Sequence, residues 1–178
     1  MKKLFKKTNI LSRKGTTLVE LLLYMGILAI LLTVLTSIFV SVLDVQSESN
    51  AVSSVEQDGN YILARLNYDI HRAQNINIPT ANGEVNSIFQ IVIDGVNYTY
   101  NIDGNNNLVL TFINNGILEI NNLNSYGSSV SNLSVERLGF TGGKENSLRI
   151  TFTLTSRTKR ISGFETKSFE TNLSLRRQ

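Results

Sequence analysis

One ionisable residue stands where its charge is costly. Glu20 directly precedes the run Leu21–Leu43, which holds 23 residues and no charged side chain. As a helix this run would be about 34 Å long, and the hydrocarbon core of a bilayer is about 30 Å thick. An ionised side chain at the centre of such a span costs roughly 2.5–3.5 kcal/mol. Glu20 is therefore a candidate functional residue, and its carboxylate is expected to have a positively charged partner.

The other residues that could carry chemistry form no motif. His71 is the only histidine and cysteine is absent, so the sequence offers no triad or metal cluster and we expect His71 on the surface. Asp103 opens a stretch like a calcium loop, but Leu108 and Asn114 stand where such a loop needs Gly and Glu, so a hairpin turn is expected. Acids also recur in pairs on strand positions expected to be exposed, Glu119 with Glu136 and Glu165 with Glu170. We expect no enzyme, no cofactor and no metal site.

The residues before the apolar run are strongly basic. Six of the seventeen Lys and Arg residues lie among the first fifteen positions, which predicts a cytoplasmic N-terminus and an outer C-terminal domain. A secretory signal has an apolar core of about 7–15 residues followed by small residues at its cleavage site. The run here is longer than that. Removal of the whole run at the small residues of 47–51 stays an alternative, as does a plain uncleaved anchor.

The junction of these two regions resembles a known family. The sequence Lys14-Gly15-Thr16-Thr17-Leu18-Val19-Glu20 is similar to the prepilin leader of type IV pilins and type II secretion pseudopilins. The resemblance implies that a membrane-embedded prepilin peptidase cleaves after Gly15 and methylates the new amine of Thr16, where the family usually has Phe. Glu20 would then be the fifth residue of the mature chain.

Cleavage at that point would leave the apolar helix on the mature protein. A free amine at Thr16 would lie one to two helical turns from the carboxylate of Glu20. In a packed bundle Glu20 could neutralise the amine of an adjacent subunit and so set the register between them. We state this as a hypothesis for the role of Glu20.

The charge balance changes once the leader is set apart. Eleven basic residues remain (17 − 6) against 14 acidic ones, so the mature chain would carry about −3 and loses the overall basicity that favours nucleic-acid binding. The remaining basic cluster, Arg157-Lys159-Arg160, is expected in a solvated loop. Without cysteine, the outer domain has to be held together by its core alone.

An amphipathic pattern follows the apolar run. Apolar residues recur at steps of three and four at Val52, Val55, Gly59, Ile62, Leu63, Leu66, Ile70 and Ala73. The intervening polar positions are Glu48, Glu56, Asp58, Asn60, Arg65, Asp69 and Arg72. This pattern predicts one helix from Thr17 to about Asn75, whose second half packs on a sheet. Pro79 ends the region.

The rest of the chain has the pattern of short strands. Turn dipeptides at Asn82-Gly83, Asp94-Gly95, Asp103-Gly104 and Asn115-Gly116 are hairpin signals. The predicted strands are 87–93, 96–102, 107–113, 117–123, 130–140, 147–156 and 164–175. One long helix followed by strands predicts an α+β fold, pilin-like, in which the helix packs on an antiparallel β-sheet. The expected divisions are a leader at 1–15, a transmembrane and assembly half of the helix at 16–43, and an extracytoplasmic domain at 44–178.

A second resemblance lies in this outer domain. The helix end Leu63–Ala73 and the closing strand Phe169–Arg177 are similar to those of minor pilins and J-type pseudopilins. Together the two resemblances imply a structural subunit, minor pilin or pseudopilin, of a type IV pilus, a competence pilus or a type II secretion pseudopilus. Nucleic acid would be involved only indirectly, in a competence pilus.

The implied partners are the prepilin peptidase, other pilins or pseudopilins, and the inner-membrane assembly platform with its ATPase. The subunit would first lie in the cytoplasmic membrane as a single-pass protein and then in a filament at the cell surface or in the periplasm. The rival interpretation is a single-pass, membrane-anchored extracytoplasmic enzyme or binding protein, for which the apolar run is only an anchor.

Overall fold

The structure, a computed structural model, describes residues 17–139 and 147–175. The leader 1–15, the expected cleavage site at Gly15 and Thr16, the end of one predicted strand at Phe140, and the terminal Arg176 and Arg177 lie outside the described residues. The chain divides into two compact units, Met1–Leu43 and Asp44–Gln178. Helix α1 (Leu18–Arg72) begins in the first unit and ends in the second.

In the first unit, the described residues form the apolar part of α1. Each large apolar side chain from Leu18 to Leu43 is 48–74% exposed. The polar side chains of this part are satisfied within the helix, because the hydroxyls of Thr33, Thr36 and Ser37 donate to backbone carbonyls four residues earlier, at 2.8–3.0 Å. This helix is long and apolar enough to cross a membrane.

In the second unit, α1 buries one face. Val55, Ile62, Leu66 and Ile70 are buried as the sequence predicts, and Ala51, which the predicted stripe does not include, is buried as well. Val52 is an exception, since it is exposed. The helix ends at Arg72 instead of Asn75. The next residues leave the helix because the amide of Gln74 donates to the carbonyl of Val92 at 2.9 Å and a strand follows at once.

Five strands form an antiparallel sheet in the spatial order β1-β3-β4-β5-β6. Their bounds are β1 Asn75–Ile78, β3 Phe89–Ile93, β4 Val96–Ile102, β5 Leu108–Asn114 and β6 Ile117–Asn122. The hairpins predicted at Asp94-Gly95, Asp103-Gly104 and Asn115-Gly116 are confirmed. Asp94, Gly95, Asn115 and Gly116 all have φ between 49° and 82°, as two-residue hairpin turns of this type require.

Four strands form a second antiparallel sheet, in the order β2-β7-β8-β9. Their bounds are β2 Val85–Asn86, β7 Ser128–Leu138, β8 Ser147–Arg160 and β9 Gly163–Ser174. The prediction of a single sheet is therefore wrong, and so is the hairpin at Asn82-Gly83. That turn leads from β1 in one sheet to β2 in the other, and β2 pairs with β7.

The core lies between the helix and the two sheets of the second unit. It includes Phe89 and Tyr100 from the first sheet and Phe152 and Phe169 from the second. Phe152 and Phe169 stack with their ring centroids 5.4 Å apart. Gly59 makes this packing possible, because a Cβ atom added there would lie 2.1 Å from the ring of Phe169.

Candidate assembly site and buried carboxylates

Glu20 lies in the first turn of α1. Its backbone amide donates to the side-chain oxygen of Thr17 at 3.3 Å, so Thr17 caps the helix. Its carboxylate accepts a hydrogen bond from the hydroxyl of Tyr24, one turn later, at 2.9 Å. Among the described residues no Lys or Arg forms an ion pair with Glu20. The carboxylate therefore has one neutral donor and no charged partner in the part of the chain that the structure describes.

The helix after Glu20 offers an apolar surface on every side. Leu21 and Leu43, the predicted ends of the span, are 51% and 48% exposed. Burying a Val, Leu, Ile, Phe or Met side chain is worth about 1.5–3 kcal/mol relative to leaving it in water. A helix that is apolar all round is suited to lipid or to other helices. This surface and Glu20 together are the candidate assembly site.

The other residues singled out in the sequence fall into ordinary structural roles. His71 is exposed near the helix end, as predicted. Asp103 accepts hydrogen bonds from the backbone amides of Asn105 and Asn107, at 2.9 and 2.7 Å. The bond from Asn107 is the main cause that lowers the pKa of Asp103. Asp103 therefore stabilises a turn. Among residues 17–139 and 147–175, no three His, Cys, Asp or Glu residues are grouped so that they could hold a metal ion.

The paired acids have separate partners. Glu119 accepts from the side chain of Asn114 at 2.9 Å. Glu136 and Glu170 both lie against Arg149, at 3.1 and 3.4 Å. The two acids of each predicted pair therefore contact different residues. Glu119 contacts Asn114 and Glu136 contacts Arg149. Glu165 contacts Arg160 and Glu170 contacts Arg149.

The basic cluster does not lie in a loop, so that prediction is wrong. Arg157, Lys159 and Arg160 belong to β8. The guanidinium of Arg160 pairs with Glu48 of the helix and with Glu165 of β9, the latter at 2.7 Å. Its side chain is only 13% exposed. A strand that continues past Ser156 carries Arg160 against the helix, while Arg157 donates to the carbonyl of Asn105 at 2.8 Å.

Sequence reasoning misses two buried carboxylates on α1. The polar positions of the pattern include Asp58 and Asp69, yet these residues are 9% and 0% exposed. A signal is present in their spacing, since Asp58 lies three residues after Val55 and four before Ile62. Both acids therefore stand within the apolar stripe itself.

Asp58 connects the helix to the segment between β6 and β7. One of its oxygens accepts from the amide and the hydroxyl of Ser125, at 3.0 and 2.8 Å, and from the hydroxyl of Ser128 at 2.6 Å. Three donors compensate the burial of this charge. Asp58 is satisfied within its own domain.

Asp69 connects the helix to the first sheet. The hydroxyl of Tyr100 donates to it at 2.5 Å, and Arg65, one turn earlier on α1, pairs with it at 2.6 Å. Burial and the nearby charge of Asp69 raise the pKa of Tyr100, so its hydroxyl stays protonated and continues to donate. Both carboxylates thus position the helix on its sheets, and neither faces an open cleft of reactive groups.

Comparison of the chain with family models, with curated proteins and with solved structures returned no match. The assignment of a function therefore depends on the residues of the chain and on their arrangement.

Proposed function

We propose that this protein is a structural subunit of a helix-based filament, a type IV pilus, a competence pilus or a type II secretion pseudopilus. One observation carries the proposal: α1 has an apolar half with no buried side chain, headed by a carboxylate that lacks a charged partner among the described residues. A lipid bilayer accounts for the apolar surface. It does not account for Glu20, which needs a cation at the same depth.

The sequence before Glu20 supplies that cation. Cleavage after Gly15 by a prepilin peptidase creates an amine at Thr16, on the cytoplasmic side of the membrane. Within one chain Glu20 is held by Tyr24, one turn further along the helix. In a bundle, the carboxylate of one subunit neutralises the amine of the next. The pairing fixes how far neighbouring helices are shifted along the filament.

The remaining roles follow from this assignment. The cytoplasmic-membrane platform and its ATPase add the subunit to the filament together with other pilins or pseudopilins. The second unit lies outside the membrane and presents its loops to partners. We favour a minor pilin or J-type pseudopilin because of the sequence at Leu63–Ala73 and Phe169–Arg177.

Processing provides the first test. The full chain is expressed in membranes with and without a prepilin peptidase, and its N-terminus is determined by sequencing and intact mass. We expect the mature chain to begin at Thr16. A Gly15→Val variant serves as the control and stays uncleaved. A mature N-terminus at Met1 in the presence of an active peptidase, or one beyond Leu43, would overturn the proposal.

A membrane-anchored binding protein is the second candidate. It is favoured by the buried core of the second unit, which is complete without any residue of 18–43. Replacing Leu21–Leu43 by an unrelated transmembrane helix separates the two candidates. An anchor tolerates the exchange, whereas a filament subunit is inserted correctly and then fails to assemble.

A further inference from the structure

The tip of the β8–β9 hairpin is fastened to the beginning of the helix of the second unit. Arg160, the last residue of β8, pairs with Glu48 on α1. A cavity beside this ion pair is lined by Asp44, Val45 and Glu48 of the helix and by Ile161 and Ser162 of the tip. The tip therefore lies at the level of the first residues that follow Leu43.

This tip is apolar and open. Ile161 is 85% exposed, Phe164 is 52% exposed, and Val45 on the adjoining helix is 70% exposed. A single exposed apolar residue on a protein surface is common. Here Val45 and Ile161 line one cavity, Phe164 lies on the same hairpin, and Val45 comes two residues after a run that is apolar enough to cross a membrane.

We propose that the β8–β9 tip, hereafter the hairpin tip, lies on the outer surface of the phospholipid bilayer, with Ile161 at the boundary between headgroups and acyl chains. The proposal rests on the proposed function only in that 21–43 spans the membrane. Asp44 is bonded to Leu43, so residues that share a cavity with Asp44 lie at the membrane surface.

Apolar contact is the interaction that the bilayer adds. The charged residues near the hairpin tip are of both signs. Asp44 is negative and the exposed Lys159 is positive, and Glu48 forms an ion pair with Arg160. An aliphatic side chain flanked by charged groups suits the interfacial region, where its apolar part enters the lipid and its charged neighbours stay hydrated.

The chain contains no tryptophan, so a single introduced indole reports on one place only. Three variants of the full chain, Ile161→Trp, Leu32→Trp and Ile117→Trp, are reconstituted in vesicles of phosphatidylethanolamine and phosphatidylglycerol. Quenching by acyl chains brominated near the headgroup, by acyl chains brominated near their ends, and by aqueous iodide then measures the depth of each indole.

Ile117 is the matched control. It is 68% exposed and directly follows a hairpin turn, whereas Ile161 is 85% exposed and is part of one. Strands β4 and β5 are antiparallel, with Thr99 opposite Thr111, so the turn before Ile117 lies at the same end of the first sheet as the turn at Asp94. Asp94 in turn pairs with Arg72, at the end of α1, at 3.0 Å. Arg72 lies 28 residues after Asp44 on α1, or about 42 Å along the helix axis.

We expect shallow bromine to quench the Ile161→Trp variant, with a blue-shifted emission and little quenching by iodide. Deep bromine should quench the Leu32→Trp variant, and iodide alone should quench the Ile117→Trp variant. Phe164→Trp, an aromatic exchange on the same hairpin, repeats the measurement with less disturbance and should match Ile161→Trp.

Three results would overturn the proposal in different ways. Indoles at positions 161 and 164 that are open to iodide, with the indole at position 32 quenched by lipid, would leave the span in place and show a free hairpin tip. Protection from iodide without quenching by lipid would show that a second protein covers the tip. Absence of lipid quenching in the Leu32→Trp variant would show that 21–43 does not span the membrane, which would overturn the proposed function as well.

Discussion

The two parts of α1 have the same backbone and opposite surroundings. From Leu18 to Leu43 every large apolar side chain is exposed, whereas the part that follows buries one stripe against two sheets. The first part is apolar on all sides and the second on one. A helix with one apolar face buries that face against its own domain. A helix that is apolar on all sides is suited to burial in lipid or among other helices.

The carboxylates on the two parts differ in the same way. Asp58 accepts three hydrogen bonds from Ser125 and Ser128 and is nearly inaccessible. Glu20 accepts one from Tyr24. Removing Asp58 should therefore disturb the folding of one subunit, and removing Glu20 should disturb only the association of several.

The sharpest test of this contrast is Glu20→Ala. We expect the variant to insert in the membrane and fold as the parent does, and its incorporation into filaments to be abolished, because the amine of the neighbouring subunit loses its counter-charge. Membrane fractionation and the amount of subunit in sheared filaments measure the two properties separately.

Two further variants define the cause. Glu20→Gln keeps an acceptor for the hydroxyl of Tyr24 without the charge, and should fail as Glu20→Ala does. Glu56→Ala removes an exposed acid of the same helix, paired with Lys167 at 2.5 Å, and should assemble normally. Normal assembly of the Glu20→Ala variant would refute the role given to Glu20.

Asp58→Ala should have the largest effect on the stability of a single subunit. It leaves the buried hydroxyl of Ser128 without its acceptor and removes the acceptor of Ser125, which is itself exposed, at a cost of about 3 kcal/mol. Urea unfolding of the full chain in detergent measures the change. Glu56→Ala is again the control, with an expected loss of about 0–1 kcal/mol. Equal losses in the two variants would show that Asp58 does not connect the helix to the β6–β7 segment.

The two glycines of α1 give a smaller test of the same comparison. Gly59→Ala brings a methyl group into the ring of Phe169, and overpacking of this kind costs about 1–3 kcal/mol. Gly26 has no atom within 4 Å of an added Cβ atom among the described residues, so Gly26→Ala should leave the unfolding free energy of the domain unchanged. Unfolding in detergent measures both.

A double variant identifies the contact that is responsible. Phe169→Leu shortens the side chain that faces Gly59, so Gly59→Ala should cost less in that background than in the parent. Purely additive losses would assign the effect of Gly59→Ala to the helix backbone instead of to packing.

Local pattern is sufficient for most elements of the fold. The bounds of β4, Val96–Ile102, agree with the prediction because a turn containing residues with positive φ flanks the strand on each side, Asp94-Gly95 before it and Asn106 after it. The predicted helix extends three residues too far at its C-terminal end and one at its start. The segment from Asn75 to Ile78 alternates polar and apolar residues over only four positions, and it becomes a strand through its pairing with β3.

Long-range partners explain what the pattern could not predict. The division into two sheets arises because β6 and β7, although consecutive in the chain, do not pair, and β7 instead pairs with β8 and with the two-residue β2. The burial of Asp69 depends on Tyr100 from a different element. At the candidate site, the residues Glu20, Leu21 and Leu43 can be chosen from charge and hydropathy alone. The hydrogen bond from Tyr24 needs the helix geometry.

The last and smallest effect concerns Glu84, an acid outside α1 whose carboxylate has several hydrogen-bond donors. Glu84 precedes β2, and its carboxylate accepts from the amide of Ala81 at 2.8 Å, the amide and hydroxyl of Thr80 at 2.7 and 2.8 Å, and the side chain of Asn86 at 2.6 Å. These donors, the amide of Ala81 first, lower the pKa of Glu84 from 4.5 to about 2.

The folded pKa of Glu84 is depressed, so its contribution to stability is present above pH 4.5 and is lost as the pH falls from 4.5 towards 2. Glu84→Gln should remove this part of the acid dependence of unfolding. Carboxyl chemical shifts followed by NMR in detergent measure the titration directly. A midpoint near 4.5 for Glu84 would show that the turn does not hold its carboxylate. A midpoint near 2 would show that an acid with several backbone and side-chain donors is satisfied within the chain, whereas Glu20 accepts a single hydrogen bond, from Tyr24.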